Sequence, residues 1–192
     1  IETYLSAVAR ENEAQLRAQH NRIGPGHRSD EGSHEIEIAD VRFLDGDGKE
    51  RFVFETGEKM VARIKYRAHI EVEDPVFGVA IYRDNDLRIN GPNTSLSGYK
   101  VGWVRGEGQI DYIIEALPLL AGTYRFTVGI FDPTGLQPYD YHHQRYTFAV
   151  RGGVMKEKFG VFYIPCQWRH IPSGEQQFEK TGASVSVQAR PE

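Results

Sequence analysis

From Ala116 to Val150 the side chains change character at every second residue, and that period leaves few folds open. Tyr124, Phe126, Val128 and Ile130 alternate with Arg125, Thr127 and Gly129. Further on, Tyr146, Phe148 and Val150 alternate with Arg145, Thr147 and Ala149. A period of two belongs to a strand with one face buried and the other available. Here the available face sets small residues beside aromatic and basic ones. That suits a groove for a polar, ring-shaped ligand better than a reaction centre.

The same period recurs upstream. Ile36 and Ile38, then Val41 and Phe43, alternate with polar residues, and the change of phase marks a bulge at Asp40. Asp45-Gly46-Asp47-Gly48 is a turn signal, Phe52 and Phe54 lie on a short strand, and Thr56-Gly57-Glu58 turns again. Ala62, Ile64, Tyr66, Ala68 and Ile70 form the inward set of a long strand, with Val61, Arg63, Lys65, Arg67 and His69 outward. Phe77, Val79 and Ile81 alternate with Gly78, Ala80 and Tyr82, and Asp84-Asn85-Asp86 turns the chain toward Leu87 and Ile89. Residues 90 to 108 read as a long loop around Trp103, followed by a strand with Ile110, Tyr112 and Ile114 on one face. Phe159 to Trp168 contains a strand limited by Pro165, and Val185 and Val187 alternate as a last strand. A terminal strand after a loose connector pairs within its own chain or with a neighbour. Many short strands with frequent turn signals predict an all-β, antiparallel sandwich. No stretch after residue 34 carries a helical period, which argues against a parallel α/β architecture.

The N-terminus differs. Ile1, Leu5, Val8, Leu16 and several alanines form an interrupted apolar stripe, predicting a helix over residues 1 to about 22. Asn21 and Gly24-Pro25-Gly26 end it. The polar, Gly-rich run to Ser33 reads as a flexible connector. The expected organisation is therefore a linker helix and connector over 1–33 and a β-sandwich over 34–192. Because the sequence starts at Ile1, we expect it to be part of a longer protein.

With 192 residues the chain is long enough to bury a core. A net charge of -4 and a pI near 6.0 argue against nucleic acid as partner, since neutralising phosphates needs clustered Lys and Arg. The single cysteine, Cys166, precludes an internal disulfide and fits a reducing compartment. No signal peptide is visible, and no apolar run approaches the ~20 residues of a membrane span.

Known catalytic patterns are missing. There is no phosphate loop, no dinucleotide fingerprint, no G-x-S-x-G, no C-x-x-C and no H-E-x-x-H. Asp84 and Asp86 resemble the start of a calcium loop, but Arg88 stands where another oxygen ligand is needed, so a hairpin turn is expected there and at Asp45 and Asp47. His142 and His143 lie on what reads as a connection from Phe131 to Arg145, point to opposite faces of an extended chain and so would not share a metal; the connection reads as a solvated loop or as a ligand contact. Glu71, Glu73 and Asp74 before Pro75 read as a charged loop, not a glycosidase pair. We expect no catalytic residues, no metal and no cofactor.

The outward face gives the candidate site. If the strands at 63–69, 78–82 and 125–131 share one sheet, Gly78, Ala80, Thr127 and Gly129 make a shallow floor. Lys65, Arg67, His69, Tyr82 and Phe131 would then stand around it, and Trp103, on a loop with Asn93 and Thr94, would close one end. Sugars bind by stacking a C–H face on an aromatic ring while their hydroxyls bond to charged and amide groups. The expected carbohydrate-binding set is Lys65, Arg67, His69, Tyr82, Trp103, Thr127 and Phe131. The competing expectation is that Tyr82 and Phe131 fill a sheet or subunit contact.

Several segments also resemble a known family: FETGEKMVARIKYRA at 54–68, VFGVAIYRDND at 76–86, NT at 93–94, LPLLAGTYRFTVGIFDP at 117–133 and GVFYIPCQW at 160–168. In this order and spacing they are similar to the carboxy-terminal domain of Wzt, the nucleotide-binding subunit of Wzm–Wzt ABC transporters that export lipid-linked O-antigen polysaccharides. The resemblance covers 34 to about 168, and residues 170–192 fall outside it. It implies an immunoglobulin-like sandwich that dimerises, in known cases with exchange of a terminal strand. It further implies a pocket on the outer face of one sheet, binding of the modified non-reducing end of the glycan, and residues 1–33 as the connector to a missing ATPase domain. The parent would work in the cytoplasm, peripheral to the inner membrane, beside the transporter's transmembrane subunit. The site residues named above rest on the face argument alone.

Overall fold

The computed structural model describes residues 2–24, 31–83, 86–153 and 157–171. Among these residues a helix, α1 (Glu2–Ile23), precedes eight strands. They are β1 (Ile36–Leu44), β2 (Val53–Glu55), β3 (Met60–Glu73), β4 (Val76–Arg83), β5 (Arg88–Asn90), β6 (Trp103–Ile114), β7 (Gly122–Phe131) and β8 (Pro138–Arg151). One sheet has the order β1-β3-β6 and the other β2-β8-β7-β4-β5. Pairing is antiparallel except for β2, which runs parallel to β8. The fold is the expected immunoglobulin-like β-sandwich.

Alternation builds it. Phe77, Val79 and Ile81 of β4 and Tyr124, Phe126, Val128 and Ile130 of β7 face the three-stranded sheet and are buried. Phe43 of β1 fills the centre, with its ring 5.4 Å from Phe126 and 5.3 Å from Phe148. Fully burying an aromatic side chain of this kind contributes roughly 1.5–3 kcal/mol. At the start of β7 the buried Tyr124 donates its hydroxyl to Leu120 O at 2.6 Å, the arrangement of a tyrosine corner.

Bulges explain where the phase of the pattern changes. The ladder between β1 and β3 slips between Ile38 and Asp40, as the sequence predicts. There the Ile38 amide donates to Asp140 Oδ2 at 2.8 Å, so a buried carboxylate of β8 ties the two sheets together. The ladder between β3 and β6 shifts between Ala68 and Val72. That shift corrects the expected inward set: Ile70 is 42% exposed, and Val72 takes the inward position.

Two other expectations change. β6 begins at Trp103, so the loop is shorter than expected and spans 91–102. The segment around Phe159–Trp168 makes one bridge, Leu119 with Phe162, rather than a strand of its own. Its amide of Tyr163 bonds Pro118 O at 2.7 Å, while Phe159, Ile164 and Trp168 stay exposed. The expected strand at Val185 and Val187 and the stop at Pro25-Gly26 lie outside the described residues.

Candidate functional site

The outer side of the five-stranded sheet is made by residues that alternation turns away from the core. Gly78 of β4 pairs with Gly129 of β7, and Ala80 pairs with Thr127. These four line a groove of about 360 Å3 together with Phe131, Tyr141, Arg88 of β5 and Asn93 of the loop that follows it. The size falls in the usual range for ligand pockets, roughly 300–1,000 Å3. The floor is the one the sequence predicts.

The glycine pair has a direct structural role. A Cβ built on Gly129 would lie 2.6 Å from Phe131 Cε2 and 2.8 Å from Tyr141 Cδ2. One on Gly78 would lie 3.7 Å from the same Phe131 carbon. The edge of the Phe131 ring therefore occupies the space that side chains on the paired glycines would take. Tyr141 follows at 6.1 Å, His143 stacks on Tyr141 at 5.9 Å and 22°, and Tyr82 meets His143 edge-on at 5.5 Å. The result is a row of rings across β7, β8 and β4. Burial holds the Tyr141 phenol above its usual range, with Tyr82 adding to the rise and Arg88 opposing it. At neutral pH it is thus a protonated hydroxyl able to donate and accept.

The walls are fixed by local bonds. Thr94 Oγ1 accepts the Phe77 amide at 3.1 Å, which draws the 91–102 loop onto β4. Asn93 bridges Gly78, and its Oδ1 accepts the Leu96 amide at 2.7 Å. At the other end Asp132 Oδ1 accepts the amides of Leu136 (2.9 Å) and Gln137 (3.0 Å). Those bonds, with the Thr134 hydroxyl first among the causes, hold the Asp132 carboxyl below its usual range. The turn they shape brings Gly135 and Pro138 to the groove.

The expected site residues divide between the sheets. Thr127 and Phe131 lie in the groove. Tyr82 lies beside it, 9% exposed, with its ring against His143. Lys65, Arg67 and His69 are on β3, and Trp103 starts β6, so these four belong to the three-stranded sheet. The premise that the three strands share one sheet is therefore corrected. Arg67 pairs with Glu107 at 2.9 Å and His69 lies 3.2 Å from Glu37. Lys65 and Arg67 line a separate hollow of about 430 Å3, whose walls include Glu37, Asp40 and Arg42. Trp103 sits opposite Glu73 and is 64% exposed.

The predicted set lacks Tyr141 and Arg88, which line the groove, and His143, whose ring stacks on Tyr141 and for which ligand contact is one of the expected readings. The signal was present for Tyr141 and His143, which alternate with buried Asp140 and His142. The opposite facing of His142 and His143 is observed: His142 is 2% exposed and bonded to Tyr146, and His143 is exposed. Asp45 makes the expected turn, with Oδ1 accepting the amides of Asp47 and Lys49. Asp86 pairs with Arg125 at 3.2 Å, while Asp84 lies outside the described residues. Asp74 anchors the 91–102 loop through the Gly102 amide at 2.7 Å. That bond is the first cause of its lowered pKa, the opposite of what a general acid needs.

Two packed sheets with a glycine-floored, ring-edged groove on the outside of the larger one define an immunoglobulin-like module built around a surface groove. A family model described as the Wzt C-terminal domain matches residues 27–164, and the chain belongs to that family. A solved crystal structure of the C-terminal domain of Wzt superposes with a TM-score of 0.66 at 17% identity, over 79% of this chain and 95% of that one. The CARDB domain of the PF1109 protein from Pyrococcus furiosus, solved with di-metal ions, aligns at a TM-score of 0.31 and 14% identity. That alignment covers 60% of this chain and 96% of that one. No protein of curated function matches the sequence. No helix among the described residues is long and apolar enough to cross a membrane.

Proposed function

We propose that this chain is the non-catalytic glycan-binding module of a polysaccharide ABC exporter. The groove on the five-stranded sheet receives the modified non-reducing end of a lipid-linked O-antigen polysaccharide and holds it near the transporter. The ATPase domain and the transmembrane subunit are separate, and the assembly sits on the cytoplasmic side of the inner membrane. One observation carries the reading: the Phe131 ring closes over the Gly78–Gly129 pair, partly exposed, at the floor of a groove edged by hydroxyl, amide and guanidinium groups. A flat ring takes the C–H face of a pyranose, and Tyr141, Asn93 and Arg88 are placed to meet its hydroxyls. Membership of the Wzt C-terminal domain family supports the transporter setting. Tyr82 buttresses the row through His143, and Thr127 closes the floor.

Calorimetric titration tests this. Polysaccharide purified from the producing strain should give heat, and the same polymer stripped of its terminal modification should give little. Phe131→Ala should weaken binding about tenfold, equal to ~1.4 kcal/mol. No heat from either polymer would overturn the proposal.

The second reading is a structural dimerisation module. The exposed apolar residues Phe159 and Trp168, at 89% and 97%, favour it, since such surface commonly meets a partner. A homodimer, with or without exchange of the terminal strand, is compatible with both readings. Only the first requires glycan heat.

A further inference from the structure

Helix α1 is fastened to the sandwich. Glu13 accepts the amides of Phe52 (3.0 Å) and Val53 (2.8 Å) at the start of edge strand β2. Arg17 bonds the Glu50 carboxylate at 2.7 Å and its carbonyl at 3.1 Å, and lies 5.2 Å over the Phe52 ring. The His20 ring sits 5.0 Å from Phe52 and 5.7 Å from Tyr146 of β8. Positions 13, 17 and 20 form one stripe of the helix.

From Tyr146 the contacts continue along β8 to the groove. The Tyr146 hydroxyl is 2.6 Å from Nδ1 of the buried His142. His142 stands between Tyr141 and His143, the two rings on the groove side. Gln144 follows at a φ of 45°, a left-handed conformation that a residue with a side chain enters at a cost. Its amide donates to Thr127 Oγ1 in the groove floor at 2.7 Å, where the ladder between β7 and β8 is shifted. Three buried atoms on this line, His20 Nδ1, His142 Nε2 and Gln144 Oε1, have no hydrogen-bond partner among the described residues. His142 Nε2 comes within 3.4 Å of Asp140 Oδ2, outside hydrogen-bond geometry. A bulge with a strained residue and unsatisfied neighbours has less to lose in a second arrangement than a regular ladder does.

We infer that the docking of α1 and the occupancy of the groove are coupled through the bulge at Gln144, so that the helix responds to whether the groove is filled. The inference rests on the groove being the ligand site. Coupling is reciprocal, so either end can be perturbed and the other read.

Amide hydrogen exchange followed by NMR on the whole chain decides. Glu13→Gln weakens the hold on β2. It should speed exchange at the Gln144 amide about fivefold or more relative to the Val79 amide, the low end of typical couplings. Thr127→Val removes the acceptor under Gln144 and should speed exchange at Phe52 and Val53 in the same proportion, with Thr127→Ser restoring it. No far-end change in either variant overturns the inference. Polysaccharide from the producing strain should then slow exchange at both Tyr141 and Phe52. Protection at Tyr141 without change at Phe52 overturns the coupling and leaves the groove reading standing. Protection at neither overturns the groove reading, and the coupling falls with it.

Discussion

The two sheets present opposite solutions to the same problem, an outward face of a pleated strand. On the three-stranded sheet that face is a ladder of ion pairs. Arg63 and Asp111, directly opposite in the register, make a two-point contact at 2.9 and 2.8 Å. Arg67 pairs with Glu107, also directly opposite, and Lys59 with Glu115. On the five-stranded sheet the outward face carries glycines, an alanine and a threonine under a row of rings. Arg63, Arg67 and Lys59 already have carboxylate partners, which a ligand would have to displace, while Lys65 stands between Asp40 and Gln109 in the register. The glycine floor holds no competing side chain except rings that a sugar can stack on. Basic and aromatic residues both look like ligand contacts in a sequence. The register decides which of them are already engaged.

The sharpest break of this contrast is Gly129→Val. The new side chain would occupy the space of Phe131 and Tyr141, whose ring atoms stand at 2.6–2.9 Å from the first added carbon. Overpacking of this kind costs about 1–3 kcal/mol, and here it also lifts the rings off the floor. The expected outcome is an unfolding free energy lowered by that amount in denaturant titration and polysaccharide binding below detection in calorimetry. Retention of wild-type binding would show that the glycine pair does not set the platform.

Alternation made the floor legible: Gly78, Ala80, Thr127 and Gly129 are read from four positions out of phase with the core. The bulge at Asp40 was legible for the same reason, because a phase change has no other cheap cause. Sheet membership was not. Alternation is local and says which side a residue takes, while the hydrogen-bonding partner of β3 is chosen by non-local packing. That is why Lys65, Arg67 and His69 were assigned to the wrong sheet face. Tyr141 was lost for another reason. Its neighbours Asp140 and His142 are buried polar residues, 1% and 2% exposed, and they disguise a strand as a polar connection. Asp140 is inside because it takes the amide that the β1 bulge leaves without a ladder partner.

Acid should act on the groove through its end wall. The Asp132 carboxyl is held below its usual range by Thr134, Gln137 and Leu136, so the folded turn favours the ionised form. A lowered folded pKa contributes stability that is whole above the unfolded value, near 3.8, and is lost as pH falls from there through the folded value. The Leu136 and Gln137 amide shifts should stay constant from pH 8 to about 5 and move below about 4. Asp132→Asn should loosen the turn at neutral pH and weaken polysaccharide binding by less than Phe131→Ala does. Amide shifts that move between pH 5 and 8 would sink this account.

The smallest effect belongs to the ladder, and its smallness is the point. Arg67 and Glu107 are 53% and 74% exposed, so their attraction is screened and the side-chain order it demands offsets much of the gain. Such pairs contribute about 0–1 kcal/mol, and less as salt rises. Arg63 with Asp111 is better placed, being two-pronged and less exposed, and should sit at the upper end of that range. Arg67→Ala should therefore shift the denaturant midpoint barely, Arg63→Ala somewhat more, and both shifts should shrink in half-molar salt. Neither should change polysaccharide affinity, because both residues stand on the opposite outer face from Phe131. A severalfold loss of affinity in Arg67→Ala would move the ligand to the three-stranded sheet and reverse the assignment of the two faces.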